Sequence, residues 1–144
     1  MKLRLNIEEL NDDFFEDTRL LGITASVKNY QFCLQLNNQL GYDFRLNADI
    51  EIHLRKKGRS YYFSIYQSSE PNSFLTHYLY QNQFDGEYLL PEFKHMDFLW
   101  LMKGDLVDEE KCEWIKQAVR KLNGVQLVAE LTNEQIRNKG NMVF

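Results

Sequence analysis

Proline and cysteine are both scarce in this chain, with two of each, and no apolar run is long. Each scarcity excludes something. Cys33 and Cys112 stand far apart and form no C-x-x-C, which argues against a disulfide scaffold, a zinc ribbon and a thioredoxin-like redox motif. The longest apolar run, Phe98 to Met102, is strand-sized and falls well short of the ~20 residues a membrane helix needs. Past Met1-Lys2, the polar Arg4, Asn6, Glu8 and Glu9 interrupt any leader-like apolar segment. The seven glycines build no G-x-G-x-x-G, P-loop or G-x-S-x-G. A basic excess is also missing. The net charge of −4 supplies no field to replace phosphate counterions, so a nucleic-acid partner is not expected. Free thiols at core-facing helix positions suit a reducing compartment, and a cytoplasmic protein that does not engage membranes is the expectation.

What is present is an aromatic-rich chain, 14% Phe, Trp and Tyr, of single-domain length over 1–144. Aromatics at that density favour strands. Leu3, Leu5 and Ile7 alternate with Lys2, Arg4 and Asn6, which predicts a short strand. Glu8, Glu9, Asp12, Asp13, Glu16 and Asp17 then read as a solvated acidic loop, anchored by Phe14 and Phe15. Arg19 to Ile23 is a second strand. Ser26 or Asn29 caps a helix with Phe32, Cys33, Leu36 and Leu40 on its buried stripe, ended by Gly41. Ile50, Ile52 and Leu54 alternate with Glu51, His53 and Arg55. The link Lys56-Lys57-Gly58-Arg59 turns that strand back into Tyr61 to Tyr66. A polar loop from Gln67 to Ser73 leads to a strand over Phe74 to Gln81, and Asp85-Gly86 marks another tight turn. The uninterrupted apolarity of Phe98 to Met102 predicts a central strand covered on both faces. Asp105 or Asp108 caps a second helix with Cys112, Ile115, Ala118, Val119 and Leu122 inward, stopped at Asn123-Gly124. Val125, Leu127, Ala129 and Leu131 alternate as a last strand. Residues 133–144 read as an extended tail. The sum is an α+β two-layer sandwich, a mainly antiparallel sheet of five to seven strands with two amphipathic helices, in the order ββα, a run of β, then αβ.

The segment Leu90-Pro91-Glu92-Phe93-Lys94-His95-Met96-Asp97-Phe98 resembles the signature of the IPExxxVDY family. Leu90 stands for Ile, Met96 for Val and Phe98 for Tyr, so any role for the tyrosine hydroxyl does not carry over. The surroundings are similar too: the acidic N-terminal stretch, the helix start at Tyr30 to Cys33, Lys103-Gly104 after the apolar strand, and the Lys139 to Phe144 ending. The resemblance spans nearly the whole chain. It implies a cytoplasmic bacterial protein of unknown function and brings no reaction, cofactor or catalytic residue with it.

Read on their own chemistry, Pro91 ends a strand without wasting a ladder donor, and Glu92 can accept backbone N–H bonds in the turn that follows. Asp97 opens the apolar strand and needs a partner, for which Arg19, Arg45 and Lys103 are candidates. The first reading is that Glu92 and Asp97 fix a strand–turn–strand corner. The second is that they work as acid and base, with His95 nearby, in a small enzyme or ligand-binding protein. His53, His77 and His95 lack zinc spacing and are expected on strand or loop surface, and no metal or cofactor is expected. Arg55, Lys56, Lys57 and Arg59 beside Tyr62 faintly resemble an RNA-stacking strand, with Tyr66, Tyr78 and Tyr80 as further aromatic faces. The leading functional expectation is a non-catalytic interaction domain, self-associating or binding another protein through an aromatic sheet face or a strand edge.

Overall fold

Phe98–Lys103 is apolar at its first five positions and buried at all five, so it can sit only where both faces of a sheet are covered. The computed structural model describes residues 2–144, with side chains from residue 8 onward. It places this strand, β7, at the centre. The main sheet also contains β1 (Arg19–Ala25), β2 (Arg45–Lys56), β3 (Arg59–Ser69), β4 (Thr76–Gln81) and β8 (Val125–Leu131). Its order is β2-β3-β4-β7-β1-β8, and every neighbouring pair is antiparallel. Trp100 is paired with Leu21 on one side and Leu79 on the other. A small hairpin, β5 (Gln83–Phe84) and β6 (Glu87–Tyr88), turns at Asp85-Gly86 as expected.

Three α-helices accompany the sheet: α1 (Lys2–Phe14), α2 (Asn29–Leu40) and α3 (Glu109–Arg120). Helices α2 and α3 lie on the same sheet face. Phe32, Cys33 and Leu36 from one and Cys112, Ile115 and Val119 from the other share a core with Leu21, Ile23, Leu79, Trp100, Met102 and Val128. The alternate residues of those strands (Leu20, Tyr80, Leu99, Leu101 and Leu131) form a second core on the opposite face with Phe63 and Ile65. That core is closed by non-strand pieces: Phe14 and Phe15, the segment Leu89–Met96, and Ile136 and Met142 near the chain end.

Several local expectations are corrected. Residues 2–7 are helical, not a strand, so the order begins αβα rather than ββα. A six-residue alternation also occurs on helices. The Glu8, Glu9 and Leu10 that follow are good helix formers, with no breaker until Asp17, whose φ is 54°. The acidic stretch is therefore largely the last part of α1 rather than a loop, and the faces of Leu3, Leu5 and Ile7 lie outside the described side chains. Neither Ser26 nor Asn29 takes the N-cap of α2. Lys28 does, its N–H donating to Gln31 Oε1 at 3.4 Å, while Asn29 Oδ1 accepts from the Tyr30 N–H. Asp108, not Asp105, caps α3 by accepting from the Lys111 N–H at 2.8 Å. Strand β3 runs to Ser69, shortening the polar loop, because its last residues pair with Thr76 to Tyr78. Residues 133–144 are not extended. They make two 3-10 turns, Asn133–Gln135 and Lys139–Met142, and bury Met142 completely.

Candidate functional site

The Leu90–Phe98 segment is a knot of backbone hydrogen bonds. Leu90 is extended, Pro91–Phe93 makes one 3-10 turn, and the chain then enters β7. At its centre is Asn82, a fully buried side chain directly after β4. Its Nδ2 donates to the Phe93 and Met96 carbonyls at 3.0 and 2.8 Å, and its Oδ1 accepts from the Leu90 N–H at 2.8 Å. Its own backbone N–H donates to the Asp97 carbonyl, and its carbonyl accepts from the Leu89 N–H. One amide thereby satisfies both ends of the loop, which buried backbone requires.

Glu92 and Asp97 point at different parts of the fold. Glu92 Oε2 accepts from the Arg137 and Asn138 N–H groups at 2.6 and 2.8 Å, and Oε1 accepts from Asn138 Nδ2 at 2.9 Å. Its acceptors were expected to serve the following turn. They instead hold a segment more than forty residues later in the chain. Partial burial alone would raise the Glu92 carboxyl, but the hydrogen bonds from Asn138 and the Arg137 backbone outweigh it and hold the group below its ordinary value. Asp97 has none of the basic partners expected for it. Its Oδ2 accepts from the Ala25 N–H at 2.8 Å, where the β1–β8 register shifts and that donor would otherwise lose its ladder. Arg19 pairs with Glu109 and Glu130, and Arg45 with Asp43. Lys103 donates to the Phe14 carbonyl. His95 is exposed, and its backbone carbonyl accepts from Thr24 Oγ1. Met96 packs against Gly22 so closely that a Cβ there would lie 2.9 Å from its sulfur. A cleft of about 230 Å³ lies beside Asp97, lined also by Lys28, Asn29 and Gln81, and neither Glu92 nor His95 reaches it. The three candidates for acid–base chemistry therefore do not converge: Asp97 ties the start of β7 to Ala25, Glu92 ties the turn to Arg137 and Asn138, and the exposed His95 stands apart from both.

The histidines are likewise dispersed. His77 is fully buried, contrary to the surface position expected of it, because it shares the helix-covered face of β4 with Leu79. Trp100 Nε1 donates to His77 Nδ1 at 2.9 Å, which leaves the Nε2 proton to be donated to Glu70 Oε1 at 3.0 Å. Glu70 Oε2 in turn accepts from Lys111 Nζ at 2.7 Å. Burial pushes the His77 imidazolium down by more than Glu70 raises it, so the ring is neutral. Tyr42 and Phe44 wall the ring off. Among the described residues no group of three or more His, Cys, Asp or Glu is placed to hold a metal ion. Both cysteines are buried free thiols, and burial pushes Cys33 up to about 12.

The β2–β3 ribbon differs from the rest of the sheet. Its inner side, with Ile52, Tyr61, Phe63 and Ile65, joins the second core. Its other side carries the exposed Glu51, His53, Arg55 and Tyr62, beyond the reach of α2 and α3. There the His53 and Tyr62 rings stack with centroids 4.7 Å apart and planes within 7°. The basic residues at its tip divide. Lys56 is bound to Glu87 and Arg59 to Asp85, both in the β5–β6 hairpin, while Lys57 forms the turn and Arg55 points outward. The basic cluster read from the sequence is thus partly neutralised.

No family model matches this chain, and no curated protein is significantly similar to it. No helix among the described residues is long and apolar enough to cross a membrane.

Proposed function

We propose that this chain is a cytoplasmic protein-interaction domain without catalysis of its own, working through the β2–β3 ribbon. One observation carries the reading: the stacked His53–Tyr62 pair is exposed on a part of the sheet that α2 and α3 do not cover, and His53 lies on β2, the strand that ends the sheet. The Glu92 and Asp97 carboxylates support it, since both are occupied by backbone donors of the fold itself. The likeness to the IPExxxVDY family belongs to the same proposal. Leu90, Pro91, Glu92, Met96, Asp97 and Phe98 all have structural tasks here, so proteins built on that signature would share this scaffold rather than a chemistry. Sedimentation velocity of the whole chain over a wide concentration range tests the reading, alone and with the paired change His53→Ser and Tyr62→Ser. Association that weakens in the variant is the expected result. A strict monomer that engages no protein partner defeats it.

A further inference from the structure

Resting on that reading, we infer that β2 pairs with β2 of a second copy of this chain, antiparallel and with the twofold axis at His53. The register follows from the hairpin. Lys57 and Gly58 both have positive φ, 52° and 76°, so the two-residue turn makes Lys56 and Arg59 its closing hydrogen-bonded pair. Counting back, Leu54 and Ile52 direct their backbone groups at β3, whereas Arg55, His53 and Glu51 direct theirs to the open edge. His53 and Tyr62 then form one of the close non-hydrogen-bonded pairs, as their ring stack requires.

A twofold axis at His53 sets Glu51 of each copy opposite Arg55 of the other and Ile52 opposite Leu54. Opposite charges meet on the uncovered face and apolar side chains meet on the core face. Centring on Glu51 or Arg55 would oppose like charges. Centring on Ile52 needs regular pairing through residues 47–50, where the β2–β3 register shifts. Centring on Leu54 opposes His53 to Arg55 and runs Glu51 into the turn. Glu51 and Arg55 form no ion pair within the described residues, although Lys56 and Arg59 beside them do. The opposite edge of the sheet is less open: Arg120 reaches over β8 to donate to the Val128 carbonyl, and Gln126 is tied to Ser26. With only one short stretch of edge to bury, the dimer is weak and concentration-dependent.

Charge reversal on the full chain tests this. Glu51→Arg and Arg55→Glu each place like charges opposite one another twice per dimer, and each is expected to weaken self-association roughly tenfold. The double reversal restores opposite charges and is expected to recover it. Far-ultraviolet circular dichroism and thermal melting check that each variant is folded. His53→Pro, which removes an edge N–H that β3 does not use, gives an independent break. Dimerisation insensitive to both single reversals overturns the β2 register while leaving the interaction reading intact. A wild-type chain that stays monomeric at every concentration overturns the dimer, and if no other protein binds, the interaction reading falls as well.

Discussion

Asn82 and Leu90 close the chain on itself: the Leu90 N–H donates to Asn82 Oδ1 at 2.8 Å, while the other end of the same amide holds the Phe93 and Met96 carbonyls. Asn82→Ala strands the Leu90 N–H and the Met96 carbonyl and leaves the Phe93 carbonyl with the Met96 N–H alone, and is expected to cost about 3 kcal/mol in urea unfolding. Asn82→Asp keeps the acceptor but faces a carboxylate to two carbonyls. It should be worse than alanine at neutral pH and should recover in mild acid, as the carboxyl regains a proton to donate. Equal stability of both variants at all pH values would refute the pairing.

Glu92 ties the chain end to the motif, and its carboxyl is held below its ordinary 4.5. A depressed folded-state pKa contributes stability that is present above about 4.5 and lost as pH falls through the folded value. Amide protection factors over residues 136–144, taken against the intrinsic exchange rate at each pH, should therefore fall in acid before those of the sheet do. Glu92→Gln, which brings an N–H₂ group to a site built of donors, should show the lower protection already at neutral pH and remove its acid dependence.

Gly104 has a φ of 111°, and a Cβ there would lie 1.9 Å from the Phe74 carbonyl oxygen, a backbone atom that cannot swing away. Gly104→Ala should cost about 3 kcal/mol or more. Gly22→Ala meets the Met96 side chain instead, which can shift, so its cost should be smaller, and Met96→Ala in the same chain should relieve part of it. Chemical denaturation of the three variants and the pair measures the difference.

His77 is neutral, with a folded-state pKa pushed below 6.5 by burial. Its unfolded form takes up a proton first, so the stability it supports is intact above about 6.5 and declines as pH falls from there toward the folded value. His77→Leu leaves the Trp100 indole N–H and one Glu70 oxygen without a partner and should cost about 3 kcal/mol. The Trp100 indole proton should exchange far more slowly than that of the exposed Trp114 in the wild-type chain, and lose much of that protection in the variant.

The periodic elements were legible in the sequence because their partners are implied by the pattern itself. Phe98 to Met102 could only be a central strand, and Cys112, Ile115 and Val119 could only be one helix stripe. Residues 2–7 are helical despite the alternation of Leu3, Leu5 and Ile7, because so short an alternation does not separate strand from helix and the residues after it favour helix. The motif's proline and apolar neighbours announced a corner, yet what Glu92 and Asp97 bind lies at residues 137–138 and 25, separations that no local pattern encodes. Asn82 carried no signal, being a single asparagine after a strand. His77 does carry one: it alternates with Leu75 and Leu79, whose burial places it inside.

Strand β1 lies between β7 and β8, and neither neighbour exists until residue 98 has been synthesised. A nascent chain leaving the ribosome must carry Leu20, Leu21 and Ile23 as an apolar ribbon without its sheet neighbours until β7 has been made. The topology thereby makes folding of the sheet non-local, and places the period of greatest exposure to chaperones or misassociation before β7 and β8 emerge.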